Sequence, residues 1–230
     1  MARLIHNESP LGRISMTGGF RNKRKEETRH YKRLFLIASE GKKTEKSYFE
    51  RNIRHLIDES NVRIKFVDKS THASSPLHVQ KALASAIEKE SDALRTGDEA
   101  WIVIDRDQWE KDDLIAVHEW TQEKSTDKCH RDLALSNPCF EYWLILHFED
   151  GNDLSTTAEC QNRLKNHINL IKEKNVPQDS IQRVQVEAAI KRAKNMSQKR
   201  YGETNQPVES GCTGTTVYRL VEKLLEPTPG

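Results

Sequence analysis

Residues 33–45 read Arg-Leu-Phe-Leu-Ile-Ala-Ser-Glu-Gly-Lys-Lys-Thr-Glu, and this stretch decides the expected fold. Leu34 to Ala38 form an uncharged apolar run, after which the chain turns polar at Ser39-Glu40-Gly41. A helical pattern begins near residue 43. The pattern predicts a buried strand that ends in a carboxylate and a glycine, directly before a helix.

A second stretch has the same form. Residues 101–104 read Trp-Ile-Val-Ile, and Asp105-Arg106-Asp107 follows them. In an open parallel sheet, ligands bind at the carboxyl ends of the strands. We therefore expect these two strand ends to lie side by side and to form one site.

Predicted strands and helices alternate from residue 33 to about residue 150, which is typical of an α/β fold. We expect a parallel, Rossmann-like sheet flanked by helices. After Gly151 the pattern is helical throughout, which predicts a C-terminal helical extension. We expect strands at 33–38, 62–67, 101–104 and 132–135, and helices at 43–58, 75–95, 111–124, 139–148, 155–172, 178–199 and 215–225. The predicted divisions are a flexible basic arm (1–30), the α/β core (31–150) and an extension that packs on this core (151–230).

Composition narrows the class of protein. The chain has 230 residues, a net charge of +2 and a charged fraction of 31%. No apolar run approaches the length of a membrane span, and the N-terminus has no apolar signal region, so we expect a cytoplasmic protein. Four cysteines occur without a CxxC pair, which argues against a zinc ribbon or a redox motif. Oligomeric state stays open, a homo-oligomer included.

Glu40, Asp105 and Asp107 are the predicted catalytic and metal-binding residues. If their strands are neighbours, three carboxylates converge, and their repulsion favours a bound cation. Mg²⁺ or Mn²⁺ suits an all-oxygen site and supports phosphoryl transfer. The simpler alternative is that Asp107 and Glu40 cap the helices that follow them.

Two further carboxylates are candidate metal ligands. Glu45 could reach back to the metal or favour the helix N-terminus electrostatically. Glu141 lies in the apolar block Asn137-Pro138-Cys139-Phe140-Glu141, where a buried carboxylate needs a partner. Alternatively, Glu141 lies in the first turn of a helix, where the helix dipole favours a negative charge.

Basic residues near the strand ends and in a later helix are candidate nucleic-acid contacts, because cations bind phosphates. The alternative is a solvated surface. The candidates are Lys42, Lys43, Arg106, Lys191, Arg192 and Lys194.

Other phosphate and hydrolase motifs fail. Gly41-Lys42-Lys43-Thr44 is like the end of a P-loop, but Leu36 replaces the upstream glycine and Lys43 stands where Ser or Thr is required. GxGxxG, GxSxG and HExxH do not occur.

The strand end with Glu-Gly and the later strand end with Asp-x-Asp resemble the Toprim pattern of topoisomerases, primases and OLD-type nucleases. Three stretches resemble the RloB family more specifically: residues 39–45, residues 104–107 and residues 136–148. Residues 214–221 are similar to the closing helix of that family. The resemblance covers about residues 33–225, and the family includes the second component of the AbiL abortive-infection system.

The resemblance implies a Toprim-like fold and a role in bacterial or archaeal defence beside an ATPase of the ABC/AAA type. It implies that Glu40 is the strand-one carboxylate, a metal ligand or general acid/base, and that Asp105 and Asp107 bind metal. Glu45 resembles the second glutamate of OLD-type nucleases, but it lies one residue further on, a turn of about 100° around a helix. The expected activity is metal-dependent cleavage of DNA or RNA, and the alternatives are a non-catalytic scaffold for an ATPase and nucleotidyl transfer.

Overall fold

The computed structural model describes residues 31–41, 43–68, 75–106, 109–123, 128–168, 174–201 and 211–226. The predicted arm (1–30) and the candidate residues Lys42 and Asp107 lie outside the described residues. No helix in the described part of the chain has the length and apolar character that a membrane span requires.

Strands and helices alternate through the first part of the chain, as the sequence predicts. The strands are β1 (Arg33–Ser39), β2 (Val62–Phe66), β3 (Asp98–Asp105), β4 (Cys129–Asn137) and β5 (Gly214–Thr215). The helices are α1 (Thr44–Tyr48), α2 (Pro76–Glu90), α3 (Lys111–Gln122), α4 (Phe140–Ile145), α5 (Thr157–Leu164), α6 (Arg183–Tyr201) and α7 (Val217–Leu225). After α1 the chain continues as a π-helix (Phe49–Ile53) and a 3₁₀ turn (Arg54–Leu56).

The strands form one sheet in the order β2-β1-β3-β4-β5. β1 pairs in parallel with β2 and β3, and β3 pairs in parallel with β4. The predicted α/β fold with a parallel sheet flanked by helices is confirmed. β5 pairs antiparallel with β4 through Ser136 and Asn137, so the prediction that the chain is purely helical after Gly151 is wrong.

Successive side chains of each strand point to opposite faces of the sheet, because strand geometry has a period of two. They therefore contribute to two separate apolar cores. Phe35 and Ile37 of β1 lie in the core covered by α1, α4, α6 and α7, which we call the first face. Leu34, Leu36 and Ala38 lie in the core covered by α2 and α3, the second face. The sheet is thus covered on both sides, as parallel sheets usually are.

The first core draws residues from both of the predicted divisions. It joins Phe140 and Trp143 of α4 to Cys160 of α5, Val186 of α6 and Val221 of α7. Residues after Gly151 therefore share one hydrophobic core with the strands.

The π-helix has a local explanation in its contacts with residues 177–181. The Arg51 carbonyl accepts a hydrogen bond from the Asp179 backbone N–H (3.3 Å). The buried Asn52 donates to the Pro177 carbonyl (3.0 Å) and accepts from the Ile181 N–H (3.1 Å). Asp179 adopts a φ of 54°, in the left-handed region, so the predicted helix at 178–199 starts only at Arg183.

Candidate carboxylate site

The two strand ends singled out in the sequence are adjacent. Ser39 is the register partner of Val103, and the Glu40 N–H donates to the Val103 carbonyl at 2.9 Å. Asp105 is in turn the register partner of Ser136 on β4. The prediction that β1 and β3 lie side by side is confirmed, so Glu40 and Asp105 lie at one edge of the sheet.

Strand alternation places these two carboxylates on different faces. Asp105 follows Trp101 and Val103, which belong to the first face. Glu40 follows Leu36 and Ala38, which belong to the second face. The first turns of α1 and α4, with Glu45 and Glu141, therefore approach Asp105, whereas Trp109, which precedes α3, approaches Glu40.

Glu40 is held by two N–H donors. Its Oε2 accepts from the Asp105 backbone N–H (3.3 Å) and from the Trp109 indole N–H (3.1 Å). The residue at the N-cap position of α1 is Lys43, so Glu40 does not cap this helix. Neither periodicity nor a motif marks Trp109, so sequence reasoning missed this residue.

Glu45 turns back toward the end of β1. Its Oε1 accepts from the Gly41 backbone N–H at 3.0 Å, and the residue is only 5% exposed. Burial is the main cause that raises the pKa of Glu45 to about 7, and the charges of Glu141 and Glu40 add to it. Glu45 therefore contacts the helix N-terminus and also lies among the other carboxylates, despite the longer spacing from Glu40.

Gly41 makes room for this arrangement. A Cβ at position 41 would lie 2.1 Å from Glu45 Oε2 and 2.4 Å from Oε1. Any other residue would push the carboxylate away, so the Glu-Gly pair has a steric reason beyond turn formation.

Asp105 is the centre of the carboxylate group. Burial raises the pKa of Asp105 well above its usual range, and the charges of Glu45, Glu141 and Glu40 raise it further. The Phe140 backbone N–H donates to this carboxylate and opposes part of the effect. Asp105 is partly exposed, yet its Oδ1 is buried and has no hydrogen-bond partner within the described structure.

Glu141 reaches the site from the first turn of α4. It is 7% exposed, in a helix whose residues are all buried. The hydrogen bond to Cys160 and burial raise the pKa of Cys139, and the charge of Glu141 adds to this effect. We call Glu40, Glu45, Asp105 and Glu141 the carboxylate site.

The carboxylate site fits a hard divalent cation in its chemistry, because every candidate ligand is a carboxylate oxygen and one buried oxygen lacks a partner. In their present positions, no three His, Cys, Asp or Glu side chains among the described residues are arranged to hold a metal ion. The described side chains alone therefore do not form a complete cation site.

The predicted nucleic-acid contacts divide into two groups. Arg106 follows Asp105 and its backbone N–H donates to the Ser136 carbonyl (2.7 Å), while its buried Nε has no partner in the described region. Lys43 is exposed beside the site. On α6, Arg192 donates to Asp150 (3.0 Å) and to the Leu146 carbonyl (2.8 Å).

Two lysines on α6 complete the predicted set. Lys191 is exposed, and Lys194 forms an ion pair with Glu222. The sequence thus places cations on α6, but Arg192 and Lys194 also stabilise contacts within the protein.

Comparison with known proteins gives one match. No curated protein and no solved structure matches the chain. The family described as RloB-like protein matches residues 35–224, which include every described residue of the carboxylate site. The chain therefore belongs to the RloB-like family.

Proposed function

We propose that this protein is a metal-dependent nuclease that hydrolyses phosphodiester bonds in DNA or RNA. The observation that carries the proposal is the buried Oδ1 of Asp105, which has no hydrogen-bond partner among the described residues and lies where the charges of Glu45, Glu141 and Glu40 act on it. Repulsion in such a group is relieved when a divalent cation replaces the missing partner. The carboxyl end of a parallel sheet is also the usual place for a ligand.

Each carboxylate has a distinct part in the proposal. Asp105, Glu45 and Glu141 would hold the cation, since they lie on the first face or approach it. Asp107, beside Asp105 in the sequence, would be a further ligand. A bound Mg²⁺ or Mn²⁺ would supply Lewis-acid activation of water and of the phosphate. Glu40, which accepts hydrogen bonds from the Asp105 backbone and the Trp109 indole, would also contact the cation and would accept a proton from the attacking water.

Cations around the site would hold the nucleic-acid backbone. Lys43 and Arg106 flank the carboxylates in the sequence, and both would neutralise phosphate charge next to the reacting bond. Lys42, Lys191, Arg192 and Lys194 would extend the contact to more distant phosphates.

The biological setting that we propose follows from the family resemblance. The protein would be an effector of bacterial antiviral defence or abortive infection, acting in the cytoplasm with an ATPase of the ABC/AAA type. Family membership supports this setting.

A second candidate is a non-catalytic subunit that serves as a scaffold for such an ATPase. One observation favours it: no three described His, Cys, Asp or Glu side chains are poised around one cation position. In this case the carboxylates would bind metal weakly and cleavage would be absent.

Purified protein incubated with plasmid, single-stranded DNA and tRNA tests the nuclease proposal. We expect cleavage with Mg²⁺ or Mn²⁺ that EDTA abolishes and that Asp105→Asn or Glu40→Gln reduces at least about a hundredfold. Asp112→Asn and Glu119→Gln, which remove exposed carboxylates of α3, are matched controls and should cleave normally.

Expression in bacterial cells separates the two candidates. A nuclease should be toxic when overproduced with its partner, and the double variant Glu40→Gln/Asp105→Asn should not be. Toxicity that persists in the double variant would contradict catalysis and support the scaffold.

A further inference from the structure

The Glu40 carboxylate is held by hydrogen bonds although the residue is partly exposed. Two N–H groups donate to the same oxygen, Oε2: the Asp105 backbone N–H and the Trp109 indole N–H. Hydrogen bonds to an ionised carboxylate are stronger than those between neutral groups. Together they fix the direction in which the carboxylate points.

Trp109 is itself fixed by its surroundings. Its backbone N–H donates to the Arg106 carbonyl at 3.0 Å, and the Arg106 N–H donates to Ser136 on β4 at 2.7 Å. The indole packs against the second core, beneath α2 and α3. Trp109 therefore contacts Glu40 from the side opposite to Glu45 and Glu141.

The chemistry of indole suits this position. An indole N–H donates a hydrogen bond but cannot accept one, and it does not bind a hard cation. The indole N–H does not titrate at ordinary pH, so it donates to the ionised carboxylate without competing for a metal. Phenylalanine keeps an aromatic ring next to the core but has no N–H donor, so Trp109→Phe removes this hydrogen bond.

We propose that Trp109 is a positioning residue, which holds the Glu40 carboxylate at the end of β3 so that it faces the cation and the substrate phosphate. The inference rests on the proposed function, because it assigns a task to the same site. Trp109 acts through Glu40 and contacts neither substrate nor metal.

NMR of protein labelled with ¹⁵N-tryptophan tests the contact without any activity measurement. The chain has four tryptophans, and Trp109→Phe identifies the indole signal of Trp109 by its loss. We expect this indole proton to exchange with solvent about tenfold faster in Glu40→Ala than in wild type. Glu119→Ala, which removes an exposed glutamate of α3, should leave the exchange rate unchanged.

Mn²⁺ affinity and cleavage kinetics test the consequence. Trp109→Phe should weaken Mn²⁺ binding, followed by the EPR signal of free Mn²⁺, by about tenfold. It should lower kcat for nucleic-acid cleavage while KM stays within about twofold, as expected when an interaction acts in the transition state.

The outcomes separate the inference from the proposed function. Suppose that wild type cuts no nucleic acid while Glu40→Ala speeds indole exchange and Trp109→Phe weakens Mn²⁺ binding. In that case the nuclease proposal fails and the positioning role stands. The positioning role is overturned if the exchange rate of the Trp109 indole proton is the same in Glu40→Ala and wild type. Equal Mn²⁺ affinity in wild type and Trp109→Phe also overturns it.

Discussion

Gly41 leaves the space that the Glu45 carboxylate occupies. With a Cβ in place, the contact of 2.1 Å to Oε2 could not persist, and the flexible end of the glutamate would have to move. The backbone of Gly41 is not in the left-handed region, so alanine fits the chain there without strain. A substitution at position 41 is therefore a steric test of the Glu45 position.

Gly41→Ala should disturb the site far more than the fold. We expect the free energy of unfolding to change by less than about 1 kcal/mol, because alanine is compatible with the backbone. Mn²⁺ affinity should fall by about tenfold or more, because Glu45 is displaced. Urea denaturation and Mn²⁺ titration measure the two effects.

A double-mutant cycle supplies the control for this prediction. In a Glu45→Ala background, Gly41→Ala should have no further effect on Mn²⁺ affinity, because the clashing group is gone. Additive losses would show that Gly41 acts in some other way.

At the scale of elements, a buried pair joins α1 to the residues that directly follow α4. Tyr48 of α1 donates through its hydroxyl to His147 Nε2 at 3.0 Å, which requires Nδ1 to carry the ring proton. Nδ1 then donates to the carbonyls of Trp143 and Leu144, both at 3.1 Å. This network fixes the neutral imidazole between the two helices that carry Glu45 and Glu141.

The His147 network predicts sensitivity to acid. Burial lowers the pKa of His147 from 6.5 to about 4, so the folded state takes up this proton less readily than the unfolded chain. Neutral His147 therefore contributes to the free energy of unfolding above pH 6.5. This contribution, about 3 kcal/mol in total, is lost as the pH falls toward 4. Urea denaturation at pH 7 and pH 4 should show a larger loss in wild type than in His147→Gln.

Subtracting the pH dependence of His147→Gln from that of wild type cancels the titration of the other ionisable groups. Glu45, whose pKa is raised to about 7, acts in the opposite direction, since folding favours its protonated form between its ordinary value and pH 7. This effect is common to wild type and His147→Gln and cancels. Parallel pH dependences would contradict the role of His147.

At the scale of the whole molecule, residues after Gly151 complete the fold in two places. Asn137 at the end of β4 donates to the carbonyls of Gly211 (3.1 Å) and Cys212 (2.7 Å), next to the antiparallel β5. Asn52 in the π-helix holds residues 177–181. With the shared first core, these contacts predict that the strands and the later helices unfold together.

Asn52→Ala should lower the stability of the entire protein. It leaves the buried Ile181 N–H without its acceptor, at a cost of about 2–3 kcal/mol. Far-UV circular dichroism and tryptophan fluorescence should report one transition, shifted equally by the substitution. Asn162→Ala on the exposed surface of α5 is the control and should have little effect.

Separate transitions would contradict the shared core. If only one probe shifted in Asn52→Ala, the segment after Gly151 would unfold independently of the sheet.

Local sequence patterns were enough to predict the central strands, the position of the site and the family. The uncharged runs at 34–38 and 101–104 marked central strands, because parallel strands covered on both faces are apolar throughout. The polar residues at their ends then located the site, and the block at 136–148 indicated the family. β5 escaped prediction because two residues have no periodicity, and their pairing depends on a partner far away in the chain.

Only the tertiary structure decided how the carboxylates relate to one another. The adjacency of Asp105 and Glu40 follows from the register of β1 and β3, and the approach of Glu141 follows from the packing of α4 on the first core. Trp109 reaches Glu40 because the turn after β3 and the second core bring its indole there. The sequence by itself determined which residues stand at the strand ends, because alternation and apolarity are local. Side-chain direction and proximity were settled by long-range packing, which no local pattern encodes.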